Sequence, residues 1–317
     1  MALHFREATG VFRKTMPFVV LRMGVGLGIG LATVLYFGIV AWIGFRLLEA
    51  GTISGWIGVA GLLVAIGLFI AAWRLAARYV LYLVKAGHIA VIAHVVETGE
   101  VPENQLQYGK AQVREHFAET SALFAVDKLI KAVVRQFNDA VVSVSGLLSF
   151  SSSLQRLIRL VGRGVAVAAS YIDEAIIAHV FVNEADDRWA AAKDGVVLYG
   201  QNWKPVLGST LLIVIGMYGI ALGLFMALTP LAGALGTLST TFELVGWVVV
   251  GGMVLTVYTG LLKPWVKTVV ITTFLLESRG DSPEDETAER IAGRSEKFRE
   301  LVNRADGETP TAKVAED

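Results

Sequence analysis

Hydrophobic and polar residues alternate along this chain in long blocks. Four stretches contain no charged residue: 23–45, 53–73, 206–228 and 244–262. The first of them has 23 residues, which as an α-helix cover about 34 Å at a rise of 1.5 Å per residue, against a hydrocarbon core of about 30 Å. Each stretch is therefore predicted to cross a lipid bilayer as one helix.

The four stretches fall into two pairs, each joined by a short connection. We predict an all-α, polytopic integral membrane protein with about four transmembrane helices, accompanied by amphipathic interfacial or cytoplasmic helices. The expected segments are an N-terminal amphipathic segment (1–17), a transmembrane hairpin (18–73), an amphipathic cytoplasmic or interfacial insert (74–204), a second hairpin with a cytoplasmic extension (205–277), and a soluble helix with a disordered tail (278–317).

The composition agrees with a lipid environment and excludes several kinds of chemistry. Of 317 residues, 54% are hydrophobic and 18% are charged, against about 25% charged in soluble domains. Basic and acidic residues number 28 each, so charge gives no reason to expect nucleic acid as a partner. Cysteine is absent, which excludes disulfides and thiolate metal sites. No hydrolase, P-loop or dinucleotide motif is present, so we expect neither a cofactor nor enzymatic activity.

Lysine and arginine are concentrated on one side of the predicted spans. They flank the outer ends of both hairpins, whereas the connection 228–243 has none and the first connection has only Arg46. Basic residues close to a span remain on the cytoplasmic side. We therefore predict a multi-pass protein of the cell membrane, in contact with membrane lipids, with both termini in the cytoplasm.

Small residues recur at a four-residue spacing in two of the spans. This spacing allows helix backbones to approach each other closely. Two consequences stay open, namely packing between spans of one chain and self-association into a homo-oligomer. The glycines concerned are Gly24, Gly26, Gly28 and Gly30 in the first span, and Gly219 and Gly223 in the third.

The insert between the second and third spans contains helical patterns of mixed polarity. A helix continuing the second span is expected to end near Gly99, a typical C-cap residue. Residues 110–138 combine an apolar stripe with a charged face, which predicts one amphipathic helix that covers the membrane surface, the inner ends of the spans, or another subunit. Residues 157–182 are long enough to cross a bilayer, but they carry five ionisable groups. Each costs about 2.5–3.5 kcal/mol near the bilayer centre, so interfacial helices are favoured over two full crossings.

Part of this insert forms the candidate polar site. At membrane depth its acidic pair, Asp173 and Glu174, would suit a cation or a proton. Outside the bilayer the carboxylates would instead pair with Arg159, Arg163 or Arg188 and join helices. His179 lies five residues beyond Glu174, about 140° around a helix, so the two do not form a metal pair. The site residues are Arg159, Arg163, Tyr171, Asp173, Glu174 and His179.

The C-terminal part contains two helix signals. Lys263 and Pro264 are expected to break or kink the helix that leaves the fourth span. Ser282 and Pro283, followed by acidic residues, predict the start of a further helix. Its thin apolar stripe, from Ile291 onwards, is expected to dock on the cytoplasmic helices or to recruit a partner.

A run of residues before the third span, 191–199, followed by Asn202, resembles the stretch before a late membrane helix in choline transporter-like proteins. The end of the last span, 274–277, is similar as well. The resemblance covers about Tyr171 to Glu277, a third of the chain, and implies transport of a solute or lipid precursor. It transfers no binding residue, and the larger number of spans and the large extracellular loop of that family have no counterpart in this chain.

Two classes of function follow from these patterns. The first is a transport-like membrane protein, oligomeric because four spans enclose little space, which passes an unknown small-molecule solute or ion near the candidate polar site. The second is a non-catalytic membrane scaffold that binds lipid or a partner protein through its interfacial helices. The absence of ionisable residues from the third and fourth stretches favours the second class.

Overall fold

The described part of the chain is built from α-helices. The computed structural model describes residues 4–76, 80–116, 120–144, 170–183 and 187–307, and these contain no β-strand. Four helical segments within them are long and apolar enough to cross a membrane: Met16–Glu49, Gly55–Ala76, Gly208–Gly236 and Phe242–Glu277. The predicted all-α membrane fold with four spans is confirmed.

The helices are numbered in chain order. They are α1 Phe5–Lys14, α2 Met16–Glu49, α3 Gly55–Ala76, α4 Tyr82–Thr98, α5 Gln105–His116, α6 Thr120–Val144, α7 with 170–182 described, α8 Arg188–Gln201, α9 Trp203–Gly236, α10 Thr240–Val257, α11 Lys263–Glu277, α12 Asp285–Ala292 and α13 Glu296–Ala305. A short π-helical segment, Tyr258–Leu262, joins α10 to α11, so these form one span.

The spans form two hairpins, α2 with α3 and α9 with α10. The first turn contains Gly51 at φ 64°, a left-handed conformation that glycine adopts without steric cost. Within this hairpin the Tyr36 hydroxyl donates to the carbonyl of Ala65 at 2.8 Å, which satisfies a polar group at a depth where water is absent. In the second turn the Ser239 hydroxyl caps α10 by accepting from the Phe242 N–H at 3.3 Å.

The outward faces of the spans are apolar and exposed. Trp56 is 80% exposed and Val248 is 70% exposed. Apolar side chains left in water cost about 25 cal/mol per Å², so surfaces of this kind are suited to contact with lipid chains.

The glycines singled out in the sequence do not pack the spans together. A Cβ placed at any of them would meet no atom of a neighbouring described element within 4 Å. Within the described residues, no neighbouring helix packs against these six glycines, and self-association stays a prediction. Among the described glycines of the spans, the tightest approach is at Gly246, where a Cβ would lie 2.7 Å from the Cα of Ala232 on the partner helix.

The buried core lies at one end of the spans and not between them. It is formed by α4, α7, α8 and the end of α11, with side chains such as Ile92, Ile176 and Ile271 fully shielded. α1 packs on α11 and α4, and α5 packs on α4. The helices of the insert thus make a packed layer with the inner end of the fourth span.

Three boundaries within the insert test the sequence-based expectations. α4 ends as predicted at Gly99, which has φ 76°. The single helix expected at 110–138 is described as two helices, α5 and α6, with 117–119 outside the described residues. Residues 145–169, which include the first half of the segment 157–182, also lie outside the described residues, but residues 170–182 form α7, whose Ile172, Ile176 and Val180 are buried.

The fourth span continues through Pro264, so the helix does not break there, while the kink stays a prediction. Pro264, which has no backbone N–H to donate, lies just after the π-helical segment. The preceding π-helical segment absorbs the change of register.

The C-terminal helices dock on the packed layer of helices, which is the first of the two roles predicted for their apolar stripe. α12 and α13 pack on α8, and α13 also packs on α6, which buries Ile291, Phe298 and Leu301. The helix expected from Ser282 begins instead at Asp285, because the Ser282 carbonyl accepts a hydrogen bond from Gln201 at 3.2 Å and remains in the connection. The tail predicted to be disordered lies almost entirely outside the described residues.

Candidate functional site

A buried carboxylate on α7 forms the centre of the site. Oε1 of Glu174 lies 2.9 Å from Nζ of Lys85 on α4, and Oε2 lies 2.8 Å from Nζ of Lys267 on α11. The Glu174 side chain is 11% exposed and that of Lys267 is 4% exposed. Glu174 therefore joins three helices, and either lysine left without it would be a buried, uncompensated charge.

The preceding residue extends this network to α6. Oδ2 of Asp173 lies 3.4 Å from Nζ of Lys131, which also bonds Asp127 one helical turn earlier. Asp127 and Lys131 share a face of α6 because residues four apart in a helix are neighbours. The side chains of Asp173 and Asp127 are almost fully buried.

The ion-pair network is neutral when all its members are ionised. Buried charges are tolerated when opposite charges and hydrogen bonds offset their loss of hydration. Three ammonium groups face three carboxylates, and their residues are Lys85, Lys131, Lys267, Asp127, Asp173 and Glu174.

The two adjacent carboxyl groups differ in protonation. Burial opposes the ionisation of Glu174, but the ammonium groups of Lys267 and Lys85 outweigh it and hold its pKa at about 2. Burial prevails for Asp173 and raises its pKa to about 7, because Lys85 offsets it only in part and Glu174 adds to it. Glu174 is thus a fixed anion at neutral pH, whereas Asp173 exchanges its proton near neutrality.

A polar cavity of about 320 Å³ opens beside Glu174, and we call it the junction cavity. It lies where α2, α7, α9 and the α10–α11 span meet, so three of the four spans contribute to it. The rings of Tyr218 and Tyr258 stack on its wall with centroids 5.8 Å apart. Its charged and aromatic lining consists of Arg22, Tyr171, Glu174, Tyr218, Tyr258, Lys263 and Lys267.

The structure brings three of the predicted site residues together and separates a fourth. Tyr171 and Glu174 line the junction cavity, and Asp173 lies behind it in the network. His179 points elsewhere, with Nε2 3.3 Å from the Asn183 amide and its ring against Phe274. Burial lowers its pKa, so it is neutral at physiological pH. Arg159 and Arg163 lie outside the described residues.

Lysines are partners of the two carboxylates that the sequence did not indicate. In the described chain Asp173 and Glu174 form ion pairs with Lys131, Lys85 and Lys267. The predicted pairing with Arg159, Arg163 or Arg188 stays a prediction, since Arg159 and Arg163 lie outside the described residues. Lys85 and Lys267 come from helices that continue or form spans, and a lone lysine within an apolar helical run is a sequence signal for a buried partner.

His88 on α4 is a core residue. His88 stacks on Phe18 with ring centroids 5.4 Å apart, and its Nε2 lies 3.3 Å from the Thr15 hydroxyl. Burial, together with the charges of Lys267 and Arg22, lowers the pKa of His88 to about 3. In the residues that the structure describes, no group of three His, Asp or Glu side chains is placed to hold a metal ion.

Comparison with known proteins adds no relative. No protein-family model, no curated protein and no solved structure matches this chain. The likeness to choline transporter-like proteins therefore stays a prediction, and the site is interpreted from its own geometry.

Proposed function

We propose that this membrane protein has a transport-like function in which the junction cavity admits a small polar solute or ion from the lysine-rich side. The observation that carries the proposal is the cavity itself, a polar space between three span ends with a buried carboxylate and two buried lysines on or behind its wall. Burying polar groups in a membrane protein costs free energy, and such groups are typically found where they serve binding or passage. Catalysis, a cofactor and nucleic acid have no part in this proposal.

The charge distribution supports an orientation within this proposal. The junction cavity and the packed helical layer lie on the lysine-rich side of the spans, which the positive-inside tendency assigns to the cytoplasm of a cell membrane. The cavity then receives its ligand from the cytoplasm, and the tips of the two hairpins face the opposite side.

A second candidate function is a membrane scaffold that binds lipid or a partner without passage. It is favoured by the outward apolar surfaces of the spans and by the small share of each span that is buried within the chain, at most 17% for the third. Four such helices do not by themselves enclose a route. Passage would require the homo-oligomer that the open glycine faces suggest.

Cysteine accessibility distinguishes the two functions cleanly because the chain has no native cysteine. Ser170→Cys places a thiol on the lining of the junction cavity. In sealed vesicles of both orientations, a membrane-impermeant thiosulfonate reagent should modify this thiol from the lysine-rich side. Modification from the opposite side as well, in some fraction of molecules, supports passage, whereas modification from one side alone supports the scaffold.

Two further variants serve as controls for sidedness. Asp281→Cys, in the exposed connection before α12, should react from the lysine-rich side only. Val248→Cys, on the lipid-facing surface of α10, should react from neither. A thiol at position 170 that stays unmodified from both sides while Asp281→Cys reacts would overturn the proposal that the junction cavity is open to water.

A further inference from the structure

Two cations line the junction cavity without an anion to balance them. Arg22 on α2 and Lys263 at the start of α11 both face it. Neither forms an ion pair or a hydrogen bond with any residue in the described part of the chain, and Lys263 contacts only the Tyr258 ring, at 5.0 Å. The adjoining ion-pair network is neutral when all its members are ionised and positive when Asp173 is protonated, so in either state these two charges are in excess.

The excess charge is concentrated in a small, partly desolvated space. Lys267 lines the same cavity, and its single carboxylate partner, Glu174, is shared with Lys85. Like charges at close range repel each other, and this repulsion is stronger away from bulk water. The anion among the described lining residues, Glu174, is already shared between Lys85 and Lys267, so a further anion in the cavity would relieve this repulsion.

The lining chemistry is suited to a phosphate group. A guanidinium presents paired N–H donors that match two phosphate oxygens, and an ammonium adds a point charge. Tyr218 adds a hydroxyl group, which can donate to a third oxygen, whereas the Tyr171 hydroxyl donates to the sulfur of Met217 at 4.0 Å. A volume of about 320 Å³ leaves room for the part of the ligand that carries the phosphate.

The cavity lies about one hydrocarbon thickness from the tip of the second hairpin. Tyr218 and Tyr258 each lie 20 residues from Leu238 at that tip. Twenty residues of helix rise about 30 Å, which equals the thickness of the hydrocarbon core. Because α9 continues to Gly236, the turn lies beyond the stretch 206–228; with this turn at the opposite membrane surface, a phospholipid headgroup would reach the cavity.

We propose that the junction cavity binds an anionic phosphate group through Arg22 and Lys263. The inference rests on the proposed function, since it names the chemical class of the ligand that the cavity admits. The phosphate can come from a lipid headgroup reaching in from the bilayer or from a water-soluble phosphate ester, and the two sources share this recognition.

The test uses two probes with the same phosphate monoester, one with acyl chains and one without. Binding of dioctanoyl phosphatidic acid and of glycerol 1-phosphate to the full chain in a neutral detergent is measured by isothermal titration calorimetry. Arg22→Gln and Lys263→Gln should each weaken binding by about tenfold or more, since a charge-assisted hydrogen bond is lost. Neither substitution leaves a carboxylate without its partner, so both variants are expected to fold.

Arg74→Gln is the matched control. Arg74 lies exposed in the last turn of α3, on the same basic side of the membrane but away from the cavity. Affinity that falls in the two cavity variants and not in the control supports the proposal. Binding of the acylated probe alone then assigns the site to a lipid headgroup, and binding of both probes assigns it to soluble phosphate compounds.

Absence of binding by either probe, or an equal loss in Arg22→Gln and Arg74→Gln, overturns the phosphate assignment. The accessibility of Ser170→Cys separates this result from a failure of the proposed function. If that thiol reacts from water while neither phosphate probe binds, the cavity is open but its ligand belongs to another class. If it does not react, both proposals are wrong.

Discussion

Replacement of Glu174 by glutamine tests the energetic role of the ion-pair network. The substitution keeps the shape of the side chain and removes one negative charge, which leaves Lys85 and Lys267 buried without their carboxylate. Breaking a buried pair in this way costs about 3–5 kcal/mol. At about 2 °C or more per kcal/mol for a chain of this size, the unfolding midpoint should fall on the order of 10 °C.

Glu300→Gln provides the comparison at the surface. Glu300 also contacts two cations, with Oε2 2.8 Å from Lys297 and Oε1 3.1 Å from Arg304, but its side chain is 28% exposed. Ion pairs at the surface contribute about 0–1 kcal/mol, so its midpoint should fall by no more than about 2 °C.

The assay heats the detergent-purified protein to a series of temperatures and measures the folded fraction that remains by size-exclusion chromatography. The two glutamates differ in burial and not in the number of partners, so the comparison isolates desolvation. Equal midpoints for Glu174→Gln and Glu300→Gln would refute the reasoning, because they would mean that the network is hydrated. A double variant, Glu174→Leu with Lys267→Met, should recover part of the lost stability, since it removes one of the two lysines that lose their partner, while Lys85 still lacks its carboxylate.

The remaining predictions concern pH, helix packing and the C-terminal helices. The pKa of Asp173 is raised in the fold, so its contribution to stability is full below about pH 4 and is lost as pH rises through about 7. Asp173→Asn should remove this decline of the unfolding midpoint in thermal scans between pH 5 and 8. An unchanged pH profile would contradict the raised pKa of Asp173. Gly246→Ala should destabilise the second hairpin by about 1–3 kcal/mol, because the added Cβ meets the backbone of Ala232. Gly252→Ala is the control: its added Cβ points into open space, so it should be neutral or stabilising. Equal changes in stability for the two variants would disprove the close contact at Gly246. Phe298→Ala should cost about 3–5 kcal/mol and expose α12 and α13 to limited proteolysis, since this side chain is fully buried; unchanged protease resistance would show that the two helices do not depend on it.

The sequence predicted the spans well because lipid imposes a simple rule. A segment that crosses about 30 Å of hydrocarbon must form its backbone hydrogen bonds internally, which an apolar helix of about 20 residues does. Uncharged runs of that length therefore predict spans with few alternatives. All four predicted stretches overlap the helices found. Gly99 was predictable for a similar reason, because a left-handed residue at a helix end is a local requirement.

The site was only partly predictable because its members are far apart in sequence. Asp173 and Glu174 stood out as charges within an apolar run, but their partners come from α4, α6 and α11, up to 93 residues away in the case of Lys267. No local pattern specifies which of several basic residues will reach them. The sequence therefore indicated the arginines nearest along the chain, and the lysines that tertiary packing brings to the two carboxylates were not predicted.

The glycines illustrate the opposite error. Their spacing in the first and third spans indicated close packing, yet the described chain places no neighbour against them. A spacing pattern states that a backbone can be approached, not what approaches it. Among the described glycines of the spans, the tightest contact is at Gly246, and it depends on how α9 and α10 align around their turn.

A density map of the full chain in a lipid nanodisc would test the central claim most directly. Four helices should cross the disc, with Tyr218 and Tyr258 at its boundary and Glu174 in the protein layer on the lysine-rich side, next to a junction cavity that opens at headgroup level. Glu174 located in the middle of the hydrocarbon layer, or a disc that leaves any of the four spans outside it, would contradict this account.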